Sequence, residues 1–150
     1  MSTVRQAILS DVQLLIPIAK EFFLESHYPG TFQPESWSRT WQGLLEAGWG
    51  KILLVETNAN LIGGLGFTLM PDHCTGDLTA NELFLYVTKD QRGGWALLRL
   101  LRAYRAQVDE LKVKTANLSR LVESDPRLGA IYESLGFKTM EISHQWVRHG

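Results

Sequence analysis

The chain contains a single cysteine, Cys74, and it has no apolar run near the length of a membrane span. One thiol can form neither an intramolecular disulfide nor a cysteine metal cluster, which fits a reducing compartment. A membrane-spanning helix needs about 20 consecutive apolar residues. Residues 1–30 also lack the basic start and apolar run of a signal peptide. We therefore expect a protein of the cytoplasm with no membrane partner.

The sequence also lacks a strong charge of one sign. It has 15 Lys and Arg against 16 Asp and Glu, a formal net charge of -1, which argues against bulk electrostatic binding of nucleic acid. The charge is uneven, however, because residues 1–80 carry a net charge of -4 and residues 89–120 a net charge of +5. The simple explanation is solvated helix faces. The functional alternative is an anion bound by the second half and a cation near the first.

No cluster of residues has the spacing of metal ligands. The histidines, His27, His73, His144 and His149, are scattered, so we expect no metal site. Cys74 lies in PDHCTGD, which is typical of a loop, and is a poor candidate for a catalytic nucleophile.

A chain of 150 residues that is 45% apolar is expected to form one domain spanning residues 1–150, with a sizeable core. Hydrophobic periodicity predicts the order strand, helix, helix, three strands, helix, strand, helix, and then one or two strands within 137–149. Strand–helix–strand units near 82–118 and 111–142 predict parallel pairing, and the hairpin at 51–70 predicts antiparallel pairing. We therefore expect an α/β (mixed α+β) fold with helices on both faces of a mixed sheet.

Three glycines interrupt the returning strand of that hairpin, Gly63, Gly64 and Gly66. Glycine weakens a strand interior, so these positions indicate a bulge or a close neighbour.

The segment KDQRGGWALLRLL, residues 89–101, joins the strand ELFLYV to an amphipathic helix. A helix N-terminus carries unpaired N–H groups and the positive end of the helix dipole, and glycines there let a bulky anion reach the backbone. Arg92 adds a planar donor suited to phosphate oxygens. A phosphate or pyrophosphate site is one interpretation, and a tight turn with a surface arginine is the other. Neither the Walker loop nor the dinucleotide fingerprint is present.

ELFLYVTKDQRGGWALLRLL followed by LGAIYESLGF resembles the GNAT superfamily of acyl-CoA-dependent N-acetyltransferases. Gln91, Gly94 and Ala96 satisfy the family's loop pattern Gln/Arg-x-x-Gly-x-Gly/Ala, and Tyr132-Glu-Ser-Leu-Gly-Phe137 matches its late motif. The Arg-Gly-Gly run resembles a phage-type variant, with Trp95 where many members have glycine. An acid, Asp125, replaces the asparagine that often opens the last helix.

The resemblance implies a mostly antiparallel sheet of six to seven strands and acetyl-CoA as co-substrate. It places the pantetheine arm along the exposed edge of the fourth strand, near Leu85 and Val87, as if it were an added strand. An N–H of that edge would bind the oxyanion. It places the pyrophosphate at the loop, where the cofactor-binding residues are Gln91, Arg92, Gly93, Gly94, Trp95 and Ala96.

The same resemblance makes Tyr132 the candidate general acid, since a phenol can give its proton to a thiolate. The alternative is an aromatic side chain packed in the core. Glu82 is the candidate general base, acting through water, and the alternative is a solvated glutamate at a strand end. By strand alternation Glu82 would share a face with Phe84 and Tyr86.

The resemblance thus implies an N-acetyltransferase that moves an acetyl group from acetyl-CoA to an amine of a small molecule, a peptide, a protein or a modified base. It also implies that the loop around His27 and Tyr28 frames this acceptor. The alternatives are a non-catalytic acyl-CoA-binding or protein-interaction module on the same fold, and a nucleic-acid binder that uses the basic helix at 93–109. The sequence leaves the oligomeric state open between a monomer and a homodimer.

Overall fold

The computed structural model describes residues 2–149, in which five strands form one sheet flanked by four α-helices. None of the helices in this range is both long and apolar enough to cross a bilayer. The strands are β1 (Ser2–Gln6), β2 (Gly50–Thr57), β3 (Asn60–Pro71), β4 (Leu78–Val87) and β5 (Thr115–Asn117). The helices are α1 (Asp11–Glu25), α2 (Pro34–Ala47), α3 (Ala96–Glu110) and α4 (Arg127–Ser134), and a 3-10 turn spans Lys89–Gln91.

The strands follow each other in sequence order across the sheet, β1-β2-β3-β4-β5. The first four pair antiparallel, and β5 pairs parallel to β4 after the crossover through α3. The two-residue turn between β2 and β3 allows only an antiparallel neighbour, and the helical crossover through α3 allows β5 to pair parallel to β4. The predicted mixed, mostly antiparallel sheet is confirmed.

Helices cover both faces of the sheet because alternate side chains of β2 point to opposite sides. Leu53 and Val55 join a core under α3 and α4. Ile52 and Leu54 join a second core under α1 and α2. The strand KILLVET is apolar on both sides for this reason.

The prediction of six to seven strands is wrong, since residues 2–149 contain five. Residues 137–149, expected to supply one or two strands, contain no helix and no strand. Their alternating apolar side chains, Met140, Ile142 and Trp146, are exposed. The physical reason is that a strand needs a partner for its backbone groups. The outer strand β5 has three residues, and no part of 137–149 pairs with it.

One glycine of β3, Gly66, lies beside a β-bulge in β4, as the glycine pattern indicated. Gly66 pairs with Phe84 and Phe67 pairs with Glu82, so Leu83 is the extra residue. A Cβ atom on Gly66 would lie 2.3 Å from a ring carbon of Phe84 and 2.7 Å from one of Trp41. The glycine therefore makes room for the aromatic side chains that pack on this face.

Replacing Gly66 by alanine should destabilise the fold. The added methyl group overpacks the core at the Phe84 and Trp41 rings, and we expect the free energy of unfolding to fall by about 1–3 kcal/mol. Urea denaturation measures this. The control is Gly43→Ala in α2, where a Cβ atom meets nothing within 4 Å. It should stabilise the protein by about 0.5–1 kcal/mol, and equal effects of the two variants would contradict the packing argument.

Candidate active site

The strands β4 and β5 pair over three residues and then separate. Their last paired rung is Asn81 opposite Asn117, where the Asn117 amide donates to Oδ1 of Asn81 at 2.7 Å. Beyond it β4 continues to Val87, and no strand among residues 2–149 pairs with its outer side. Leu85 and Val87 lie on this stretch. An extended ligand could hydrogen-bond to the free edge as an added strand would.

Glu82 and Tyr132 both hydrogen-bond to the backbone of Ser119, just beyond the point where β4 and β5 separate. The Ser119 N–H donates to Oε1 of Glu82 at 3.1 Å. The Tyr132 hydroxyl donates to the Ser119 carbonyl at 2.9 Å. Tyr104 similarly donates to the carbonyl of Asn117 at 3.0 Å. Two side chains proposed for proton transfer are thus brought together by one short segment after β5.

Glu82 does not share a face with Phe84 and Tyr86, so that part of the sequence interpretation is wrong. The bulge at Leu83 adds one residue between Glu82 and Phe84 and reverses the alternation. Glu82 lies opposite Phe67, on the side of the sheet covered by α3 and α4, whereas Phe84 and Tyr86 lie in the core under α1 and α2. The bulge therefore turns Glu82 towards Tyr132.

Burial sets the protonation of both groups. It raises the pKa of Glu82 to about 7, against the opposing effect of the Ser119 N–H. Burial also raises the pKa of Tyr132 well above its ordinary value, and the negative charge of Glu82 raises it further. Near neutral pH Glu82 can therefore accept or release a proton, while Tyr132 holds its own.

The loop between β4 and α3 presents backbone N–H groups at a helix N-terminus. The amides of Gln91 and Arg92 already donate to Thr88 and Lys89 in the 3-10 turn. The amides of residues 93–96 have no acceptor in the part of the chain that the structure describes. The unpaired amides thus begin one residue later than the sequence interpretation placed them.

The glycines leave this loop open. Gly93 has a φ angle of 89°, which favours glycine, and a Cβ atom on Gly94 would touch only the Gln91 carbonyl, at 3.6 Å. The loop borders a shallow pocket of about 240 Å³. Its lining residues are Ser2, Thr57, Ile62, Gln91, Gly94, Trp95, Ala96 and Arg99. Four free amides at the positive end of a helix suit an anion.

The side chain of Arg92 is engaged by the protein. Its guanidinium group binds Glu25, at the end of α1, with N–O distances of 2.9 and 3.1 Å. Sequence reasoning missed Glu25 and the backbone of Ser119. No sequence motif marks either one, because Glu25 is a partly exposed charged residue and Ser119 lies in a loop.

The loop after α1 is lined with aromatic rings. Phe22 and Tyr28 lie 5.9 Å apart between ring centroids, and Phe23 and Phe32 lie 5.8 Å apart. His27, in the same loop, lies 3.9 Å from Glu123 in the loop before α4. Among the described residues, no three His, Cys, Asp or Glu side chains group in a way that could hold a metal ion.

No protein-family model and no curated protein sequence matches this chain. Solved structures do match its fold. A predicted acetyltransferase with acetyl-CoA from Clostridium acetobutylicum is 17% identical, with a TM-score of 0.77 over 100% of this chain and 96% of that one. An aminoglycoside acetyltransferase from an uncultured soil metagenomic sample, in complex with trehalose, is 15% identical, with a TM-score of 0.80 over 99% and 97%.

A ribosomal-protein-alanine N-acetyltransferase from Brucella melitensis also matches, at 17% identity and a TM-score of 0.73 over the whole of both chains. The chain therefore has the mixed α/β fold of GNAT-type acetyltransferases. Identities this low establish the fold alone, and the Arg-Gly-Gly variant stays a prediction.

Proposed function

We propose that residues 1–150 act as a single domain that transfers an acetyl group from acetyl-CoA to a primary amine. The observation that carries this proposal is that Glu82 and Tyr132 both hydrogen-bond to the backbone of Ser119, just beyond the point where β4 and β5 separate. This pair lies on the fold of known acetyltransferases, and one of the neighbours is described with acetyl-CoA.

Two features of the chain suit the co-substrate. The free amides of residues 93–96 would bind its diphosphate at the start of α3, where the helix dipole favours negative charge. The unpaired edge of β4 near Leu85 and Val87 would bind the pantetheine arm by backbone hydrogen bonds. An N–H of the same edge would then stabilise the negative charge that develops on the thioester oxygen.

The reaction needs one proton removed and one supplied. The amine nitrogen attacks the thioester carbonyl carbon, an N–C bond forms and the C–S bond breaks. Glu82 takes a proton from the amine, through water, and Tyr132 gives a proton to the departing thiolate. The products are the acetylated amine and the free thiol of coenzyme A. Glu82 is then protonated and Tyr132 ionised, and a proton that passes from Glu82 to Tyr132 through solvent restores the enzyme.

The two groups are coupled by charge. While Glu82 is ionised, its charge raises the pKa of Tyr132 and keeps the phenol protonated. Once Glu82 has taken the proton of the amine, that charge is gone and Tyr132 becomes the better acid. Removal of the amine proton by Glu82 would therefore make Tyr132 a better donor to the thiolate.

The acceptor is proposed as a cationic amine. Neighbours of the same fold act on an aminoglycoside and on the alanine of a ribosomal protein, which are both amines. Residues 1–80, which include the aromatic loop around His27 and Tyr28, carry a net charge of -4. That charge would favour acceptors with more than one amino group.

The direct test is release of free thiol from acetyl-CoA with a panel of primary amines, which should include polyamines, aminoglycosides and peptide N-termini. We expect turnover with at least one amine and none without an acceptor. Calorimetry should show binding of coenzyme A. A protein that does not bind coenzyme A would overturn the proposal.

The pH dependence of the rate tests Glu82. Its pKa is raised from 4.5 to about 7, so the basic form predominates only above that pH. We expect kcat/KM to rise with pH, reach half its maximum near pH 7 and then level off. Here kcat/KM is calculated on the concentration of the unprotonated amine, so that the titration of the acceptor itself does not contribute to the profile.

Glu82→Gln should lower kcat by about 100-fold and remove the rise with pH, since catalysis by one general base contributes on that order. Glu133→Gln, an exposed position beside Tyr132, is the control and should keep the wild-type profile. A rise near pH 7 that survives in Glu82→Gln would assign the titration to another group.

A further inference from the structure

A second charged cluster joins α1 to the loop before α3. It consists of Glu25, Tyr86 and Arg92, and we call it the Glu25 cluster. Both N–H ends of the Arg92 guanidinium donate to the Glu25 carboxylate, one to each oxygen, at 2.9 and 3.1 Å. The Tyr86 hydroxyl donates to the same carboxylate. Such a two-pronged pair fixes orientation as well as distance.

Arg92 is held at two further points. Its Nε donates to the carbonyl of Val87, the last residue of β4, at 2.8 Å. Its guanidinium carbon lies 4.9 Å from the centroid of the Tyr86 ring, in position for a cation–π contact. Three of the five guanidinium N–H groups of Arg92, and one face of its plane, are thus engaged by residues of the chain itself.

Glu25 is an acidic residue at the C-terminal end of a helix, where a negative charge is unfavourable. It is the last residue of α1, a helix end with partial negative charge, and the last turn of α1 contains no basic residue. Burial alone would raise the pKa of Glu25, but the hydrogen bonds from Arg92 and Tyr86 outweigh it and lower the pKa. Lys89 acts in the same sense, and Glu21 is the other charge near Tyr86. Arg92 supplies the cation that the helix end lacks.

The position of Arg92 in the loop indicates what the Glu25 cluster does. Arg92 directly precedes residues 93–96, whose amides are free, and the next residue, Gly93, has a conformation accessible mainly to glycine. Glycines give a loop many alternative conformations. Fixing the residue before them limits those conformations, and a site that is ordered before binding loses less entropy on binding.

We propose that Arg92 is a positioning residue: held by Glu25 and Tyr86, it orders the amides of residues 93–96 for the diphosphate of coenzyme A and is not itself a phosphate ligand. This inference rests on the proposed function. It differs from the interpretation of the sequence alone, in which Arg92 donates to phosphate.

The two roles predict opposite results for Glu25→Gln. If Glu25 holds a positioning residue, the variant loosens the loop and lowers the affinity for coenzyme A. We expect a loss of about tenfold, because the pair is two-pronged but partly exposed, with side-chain exposures of 30% for Glu25 and 44% for Arg92. If Arg92 is a phosphate ligand, the variant releases it, and coenzyme A binds as tightly as before or more tightly. Calorimetry with coenzyme A separates the two, and the second result would overturn the proposal.

A second donor separates an effect on the loop from a general structural effect. Acetyl-pantetheine lacks the diphosphate, so its kcat/KM should be the same in wild type and in Glu25→Gln, whereas kcat/KM for acetyl-CoA should fall by about tenfold. Equal losses for both donors would mean that Glu25 acts on the fold and not on the loop.

The double variant Glu25→Gln/Arg92→Gln completes the test. Because both residues act through one contact, it should bind coenzyme A no more weakly than Arg92→Gln alone. Additive losses would contradict a shared role. Asp109→Asn, which removes the exposed Arg105–Asp109 pair on α3, is the control and should leave affinity unchanged. If wild type itself fails to bind coenzyme A, the proposed function falls first, and the cluster has no diphosphate to serve.

Discussion

Tyr132→Phe should lower kcat by about 100-fold to 10,000-fold while the affinity for coenzyme A stays within a few-fold of wild type. General acid catalysis contributes on that order, and the substitution removes only the hydroxyl that would protonate the thiolate. Tyr132 is buried, and its ring packs in the core shared by α3 and α4, which phenylalanine preserves. Steady-state thiol release measures kcat, and calorimetry measures affinity.

Tyr104→Phe is a closely matched control for this variant. Tyr104 is also buried, and its hydroxyl also donates to a backbone carbonyl, that of Asn117 at the end of β5. Each substitution removes one hydrogen bond, and each should lower the free energy of unfolding by about 1 kcal/mol. Only Tyr132 is proposed to give up its proton, so equal kcat values in the two variants would remove it as the acid.

The bulge at Leu83 explains why this site could be predicted only in part. The glycines of β3 indicated an irregularity, but the run Glu-Leu-Phe-Leu-Tyr alternates equally well with or without an extra residue. Sequence reasoning therefore identified Glu82 as the candidate base and assigned it to the wrong face. Cross-strand register is set by pairing partners, and a single strand does not reveal it.

The order of elements was predictable because it depends on local patterns. Apolar alternation, glycines and prolines mark each strand, helix and turn up to α4. The pattern of residues 137–149 also alternates, yet no strand forms there, since a strand depends on a partner that the local sequence cannot supply. Glu25 and Arg92 show the same limit for side chains. They lie 67 residues apart, and charged surface residues have no periodicity that would link them.

The β4 strand connects the three parts of the proposed site. Its bulge turns Glu82 towards Tyr132, its unpaired edge offers backbone groups to an extended ligand, and its last residue, Val87, anchors Arg92. One irregular strand thus aligns the proton-transfer groups with the loop at the start of α3. The proposed function depends on that alignment more than on any single side chain.

Gly94→Glu should weaken the binding of coenzyme A by about a thousandfold. A carboxylate beside the diphosphate would face a like charge, and two unit charges 4 Å apart interact by about 4 kcal/mol at an effective dielectric constant of about 20. That energy corresponds to about a thousandfold in affinity. The fold should survive, because a Cβ atom at Gly94 meets only the Gln91 carbonyl at 3.6 Å, an ordinary contact. Gly93 is unsuitable for this test, since its φ angle of 89° would strain any other residue.

Two further substitutions at the same position separate charge from bulk. Gly94→Ala should bind coenzyme A within a few-fold of wild type, because the methyl group fits the space. Gly94→Gln has nearly the size of the glutamate without its charge, so the difference between Gly94→Gln and Gly94→Glu isolates the electrostatic part. Raising the salt concentration should shrink that difference, since exposed charges are screened. If calorimetry gives the same affinity for Gly94→Glu and Gly94→Gln, no diphosphate lies beside this loop, and the amides of residues 93–96 serve another purpose.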